Sequence, residues 1–262
     1  MKSFLTALAI LLSTITPEAN AQAAANELLL LTSANTVTLR GPVTDSSVLD
    51  TQLKLFKLVA IRGAKQYPLY LVLDSPGGSI DAGLGFIEFA KTIRNLKTIS
   101  IFAASMASGI AQALPGERLI TQNGITMFHR AAGRFQGYFE TGEVESHLEL
   151  SKSIMRVMEA TNATRLKMTI PAYKEAVHNE LWIYSGNNIT QSAADKVVDL
   201  ECSNALVALK EQVTFQTMFG SGSVTFSGCP LMRSPTGGDT AKYLVSSMSN
   251  YRRLKQIFLG LQ

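Results

Sequence analysis

Leu69-Tyr70-Leu71-Val72-Leu73-Asp74-Ser75-Pro76-Gly77-Gly78-Ser79 runs from five consecutive apolar residues into a glycine turn. An apolar run without polar alternation suits a strand covered on both faces, as in a parallel sheet. Beyond the turn, Ile80, Leu84, Ile87 and Ala90 form one stripe and Phe86, Phe89 and Ile93 the opposite one. That spacing predicts a largely buried helix over 80–94. A buried strand, a glycine turn and a buried helix in succession point to an α/β fold.

The neighbouring segments repeat the unit. Upstream, residues 35–41 alternate like a short strand, and residues 44–62 read as a helix entered from Thr44-Asp45-Ser46. Downstream, Thr98–Phe102 is a second buried strand and the small apolar residues 105–114 a buried helix. Arg118–Ile120 and Ile125–Phe128 read as two short strands, followed by a long amphipathic helix over 141–160 and another over 171–179. Alternating strands and helices predict a largely parallel central sheet.

The chain has 262 residues, 46% of them hydrophobic, enough for a substantial core. It opens with Lys2, an apolar run from Phe4 to Leu12 and Ala19-Asn20-Ala21, the pattern of a secretory leader cut near Ala21. The run is shorter than the roughly 18 apolar residues of a membrane span, and none occurs later. The expected product is exported, to a bacterial periplasm or beyond, with no membrane span. A net charge of +4 without any long Lys/Arg run gives no footing for nucleic acid. The two cysteines, Cys202 and Cys229, form an even pair suited to a disulfide in an oxidising compartment, with two buried free thiols as the other reading. No metal ligand spacing surrounds them, and neither metal nor cofactor is expected.

From about Glu201 the character changes. Glycine- and serine-rich turns punctuate a short β-like stretch, and Leu244, Met248, Tyr251, Leu254, Phe258 and Leu261 mark a terminal amphipathic helix. The expected organisation is a signal peptide over 1–21, a main domain over 22–200 and a C-terminal extension over 201–262.

Ser105 follows a buried strand and begins a helix, where backbone N–H groups are free and negative charge is favoured. Taken alone, such a serine is an N-cap. His129, after Met127-Phe128, supplies an imidazole that could take its proton.

These residues carry a family resemblance. Ser75-Pro76-Gly77-Gly78-Ser79, Ala103-Ala104-Ser105-Met106 and Met127-Phe128-His129, with Gly133 and Phe135-Gln136-Gly137 beyond, are similar in order and spacing to the motifs of the Clp protease proteolytic subunit. Glu145 and His147 resemble a pair early in that family's handle helix. The resemblance covers about residues 35–200. It implies the ClpP/crotonase-like fold, a repeated β-β-α spiral with a protruding handle helix. It further implies Ser105 as nucleophile, His129 as general base, the N–H groups of Gly78 and Met106 as oxyanion hole, and Gly77, Gly133 and Phe135 along the substrate. For the third member of the triad the nearest match is Glu180, with Asn187 or Asn188 next, or none if the site is a dyad. Asp74 stands where the family commonly has Asn, Ala107 where it has glycine, and Arg130-Ala131 where it has Gln-Pro.

The resemblance implies an exported serine peptidase acting on peptides or unfolded chains, forming a homo-oligomer. It would need no ATPase partner, because ATP is absent outside the cytoplasm. A Ser/Lys dyad with Lys152 as base is a variant of that reading. The alternative of a different class is a catalytically silent binding or scaffold protein on the same fold. A CoA-dependent reading fails on compartment.

Overall fold

The computed structural model describes residues 26–65, 67–131, 140–184, 186–217 and 220–236. The leader, Gly133, Phe135 and the terminal amphipathic segment lie outside these residues.

The elements in chain order are β1 (Glu27–Leu31), β2 (Thr36–Arg40), α1 (Asp45–Arg62), β3 (Leu69–Ser75), α2 (Ile80–Lys91), β4 (Leu96–Ala104), α3 (Met106–Ala113), β5 (Arg118–Phe128), α4 (Thr141–Arg165), α5 (Ile170–Ala176), β6 (Leu181–Tyr184), α6 (Asn187–Thr190), β7 (Lys196–Cys202), α7 (Asn204–Ala208), β8 (Lys210–Thr217) and β9 (Gly220–Ser227). Seven strands form one sheet in the order β1-β7-β5-β4-β3-β2, with β6 also paired to β5. Every pairing in it is parallel except β5 with β6. β8 and β9 form a separate antiparallel hairpin.

The apolar run of β3 serves two cores. Leu69, Leu71 and Leu73 pack with α1, α2 and α3, while Tyr70 and Val72 pack on the other face with Leu29, Leu31, Val198 and Leu206. That division explains why the strand has no polar alternation. α1 starts where expected, with Thr44 and Ser47 forming a reciprocal cap.

The two short strands expected around 118–128 are one strand with an excursion. Ile120 pairs with Ser100 and Ile125 with Phe102, so residues 121–124 bulge out against β4. Gly124 closes the bulge, since a Cβ there would lie 2.3 Å from Ile120 Cγ1 and 2.8 Å from the Ser100 carbonyl oxygen. The bulge divides the edge of β5. Residues 119–121 pair with β7 and residues 125–128 with β6.

α4 is 25 residues long, five longer than its periodicity suggested, and residues 142–150 in its first half are all exposed. Val144 and Leu148 lie open on that half. Among the described residues, no helix is long and apolar enough to cross a membrane.

Cys202, at the end of β7, is bonded to Cys229, just past β9, which fastens the hairpin to the sheet. The hairpin also meets α1 through Lys54 and Glu211, 3.2 Å apart.

Candidate active site

Ser105 sits between β4 and α3 with φ 55° and ψ −122°. A non-glycine residue held there costs about 1–3 kcal/mol, so its surroundings must over-determine it. They do. The Ser105 N–H donates to the Met127 carbonyl at 2.9 Å, and the Gly109 N–H donates to the Ser105 carbonyl at 3.0 Å. Ser108 Oγ lies 2.7 Å from both of those carbonyl oxygens and shares its single proton between them.

The strain aims the side chain away from its own helix. Ser105 occupies the N-cap position of α3, yet its side chain makes no cap hydrogen bond. Ser79, Thr44, Thr169 and Ser203, at the corresponding positions of four other helices, all do. Ser105 Oγ instead lies 2.6 Å from His129 Nε2. For that nitrogen to accept the hydroxyl proton, the ring proton must sit on Nδ1.

The glycine turn is packed directly on this bend. Gly77 has φ +89°, and a Cβ on it would lie 2.6 Å from both Ser105 Cβ and the Ala104 carbonyl oxygen. At Gly78, with φ +149°, a Cβ would come within 2.3 Å of the Val43 carbonyl oxygen. No side chain fits at either position. The turn is fixed by Val43, whose N–H donates to the Gly77 carbonyl and whose carbonyl accepts from the Ser79 N–H, each at 2.8 Å. The Gly77 N–H donates to Ser75 Oγ at 3.1 Å. Among the described residues, the N–H groups of Gly78 and Met106 have no acceptor, and they flank Ser105 from the turn and from the start of α3. Two free donors beside a nucleophile are what an oxyanion requires.

A cleft of about 260 Å³ opens over these atoms, with Met155, Met158, Tyr173 and Val177 forming an apolar wall. Tyr173 is fixed by Phe128, ring edge to face at 6.4 Å, and by Asn162, whose Nδ2 donates to its hydroxyl at 3.0 Å. Burial pushes the Tyr173 hydroxyl pKa up, so it stays neutral.

The model of the Clp protease family matches residues 19–201. The chain belongs to the Clp protease family. Its relatives include the ATP-dependent Clp protease proteolytic subunit 1 of Chlamydia caviae, 30% identical over 150 residues, which is 54% of this chain and 75% of that protein. The proteolytic subunit 2 of Prochlorococcus marinus is 32% identical over 111 residues, 41% of this chain and 54% of that protein. The proteolytic subunit of Streptococcus pyogenes is 25% identical over 169 residues, 62% of this chain and 84% of that protein. Clp proteolytic subunits are serine endopeptidases, and the mostly parallel α/β architecture agrees with that membership.

Within this Clp-like site the third position carries Glu180. Phe128 pairs with Leu181, so Glu180 follows at the place across from His129. Its carboxylate, however, accepts from Trp182 Nε1 at 2.9 Å. Glu180 also has φ 67°, which turns the chain into β6. Asn188 is fully buried and ties α6 to the sheet, its Oδ1 accepting from Thr126 Oγ1 at 2.6 Å and its Nδ2 donating to the Ile183 carbonyl at 3.3 Å. Asn187 is exposed. Lys152, the other base weighed for Ser105, instead donates to Glu149 at 2.8 Å on the exposed part of α4. His147 is exposed on α4, and His178 is exposed in the turn that follows α5.

Sequence reasoning missed Ser108, Tyr173 and Asn162. Ser108 had a signal, since it lies one helical turn after Ser105 within an otherwise apolar segment.

Proposed function

We propose that this Clp family member is an exported serine peptidase that cleaves peptides or unfolded chains through an acyl-enzyme at Ser105. The observation that carries the reading is the 2.6 Å contact between Ser105 Oγ and His129 Nε2, beside two unoccupied backbone donors. As Oγ attacks the scissile carbonyl carbon, its proton passes to His129 Nε2 and the carbonyl electron pair moves onto oxygen, toward the Gly78 and Met106 N–H groups. Collapse breaks the C–N bond, and His129 returns the proton to the leaving amine. A water molecule, deprotonated by the same nitrogen, then adds to the acyl carbon; the C–Oγ bond breaks and His129 returns the proton to Ser105 Oγ. Glu180 orients the imidazole after giving up Trp182, because catalytic hydrogen bonds tighten once substrate is bound.

Three features support an exported enzyme working without an ATPase partner: the leader pattern over 1–21, the Cys202–Cys229 bond, and the family match ending at residue 201, just before the first cysteine. Assembly of several copies through the exposed half of α4 belongs to the same reading, supported by Val144 and Leu148 lying open there.

A fluorophosphonate probe tests the chemistry. Wild-type protein is expected to be labelled and Ser105→Ala not. Folded wild-type protein that takes no label favours the scaffold reading, for which the Glu180–Trp182 bond is the structural support.

A further inference from the structure

Asp74 is the last residue but one of β3, immediately ahead of the turn that carries Gly77 and Gly78. It is 7% exposed. A carboxylate so buried is stable only with cationic or hydrogen-bonding partners. One comes from the sheet, where Arg40 is its cross-strand neighbour on β2, with Nε 3.8 Å from Oδ2. The other comes from the extension. Arg233 grips the carboxylate with both prongs, Nε donating to Oδ2 at 3.2 Å and Nη2 donating to Oδ1.

The same extension holds Arg40. Its Nη1 and Nη2 donate to the carbonyls of Ser227 and Cys229 at 3.3 and 3.5 Å, and its guanidinium lies 4.6 Å from the centre of the Phe226 ring. Arg233 follows Cys229 by four residues and so hangs from the disulfide, with the Met232 N–H donating to the Cys229 carbonyl and the Thr236 N–H to the Thr225 carbonyl. The pairing of β3 with β4 also shifts register between Leu73 and Asp74 and resumes with Asp74 opposite Phe102, so Asp74 sits at an irregularity of the ladder.

We propose that Arg233 is a positioning residue for the glycine turn: by fixing Asp74 it sets the distance of the Gly78 N–H from Ser105, and the disulfide-held extension serves as the anchor. The proposal rests on the reading of Gly78 and Met106 as oxyanion donors. Gly77 packs so closely on Ser105 and Ala104 that a displacement of Asp74 is passed to the nucleophile rather than absorbed. A forked guanidinium matches a carboxylate in a way an amide cannot, which accounts for Asp74 in place of the family's commoner asparagine.

The test uses the full chain in four forms: wild type, Arg233→Ala, Arg233→Lys and, as a control on α4, Arg156→Ala. Hydrogen exchange over residues 75–79 and the rate of fluorophosphonate labelling are measured on each. Arg233→Ala is expected to speed exchange of the Gly77 and Ser79 amides while the β3 and β4 amides and the control keep wild-type rates. Its labelling is expected to slow about tenfold, less than the roughly 10²–10³-fold cost of removing an oxyanion donor outright. Arg233→Lys keeps the charge without the fork, and local loosening in it supports the proposal even if the alanine variant does not fold. Wild-type exchange and labelling in both folded variants overturn it. If wild-type protein takes no label, the peptidase reading falls and exchange alone decides whether Arg233 holds the turn.

Discussion

Ser108 Oγ lies 2.7 Å from the Met127 carbonyl oxygen, linking α3 to the end of β5, two residues before His129. The Met127 carbonyl also receives the Ser105 N–H, so one oxygen joins the serine's bend to the strand that presents the histidine. Removing the Ser108 hydroxyl leaves neither carbonyl orphaned, because backbone donors remain on both. Ser108→Ala is therefore expected to cost only about 1 kcal/mol of stability. Its labelling rate should fall more than that loss suggests, since the Ser105 bend loosens. Urea denaturation and probe kinetics on the same sample check this, and labelling at the wild-type rate contradicts it.

Gly77→Ala places a methyl group within 2.6 Å of Ser105 Cβ at a φ of +89°. The turn must move off the nucleophile. Probe labelling is expected to drop by roughly 10²-fold or more, the range seen when an oxyanion donor is lost. Near-wild-type labelling of a folded variant refutes the packing argument.

Trp182→Phe keeps an aromatic ring but removes the N–H that holds Glu180. The freed carboxylate is expected to raise labelling, and Glu180→Gln in the same background should cancel the gain. A double variant as fast as Trp182→Phe alone removes Glu180 from the site.

Arg118 joins Asp195 to the sheet through its Nε, at 3.1 Å, and Nη2, and the Arg118 N–H adds a bond of 2.8 Å. Burial pushes the Asp195 carboxyl up, but the Arg118 hydrogen bonds and charge outweigh it and hold the pKa below the ordinary value. A depressed folded pKa means stability that is present above the unfolded value, about 4, and lost as pH falls through the folded one. Melting curves from pH 6 down to pH 2 should show Asp195→Asn losing less on acidification than wild type. Parallel curves contradict this.

Much of the central sheet could be read because β3 and β4 are buried on both faces and lack polar alternation, while Thr44, Ser79 and the glycine turn mark helix starts. Ser105 and His129 were legible for a related reason, since chemistry confines both to fixed places at strand ends. β1, β6 and β7 were not, as β1 and β6 are short with exposed apolar side chains such as Leu28, Leu30 and Tyr184, and β7 carries exposed charges such as Lys196 and Asp199. The Asp74–Arg233 grip was beyond sequence reasoning, because 159 residues separate its partners and no local pattern announces it.

The acceptor that keeps Ser105 at positive φ belongs to β5, and β5 is paired on one edge by β6 and β7, both much later in the chain. The reactive conformation of the serine therefore depends on a strand that comes after it in the chain. A peptidase synthesised as an unfolded chain is itself the kind of substrate it would attack. Here the nucleophile takes its reactive bend only with β5 beside it, a condition that an unfolded chain does not meet.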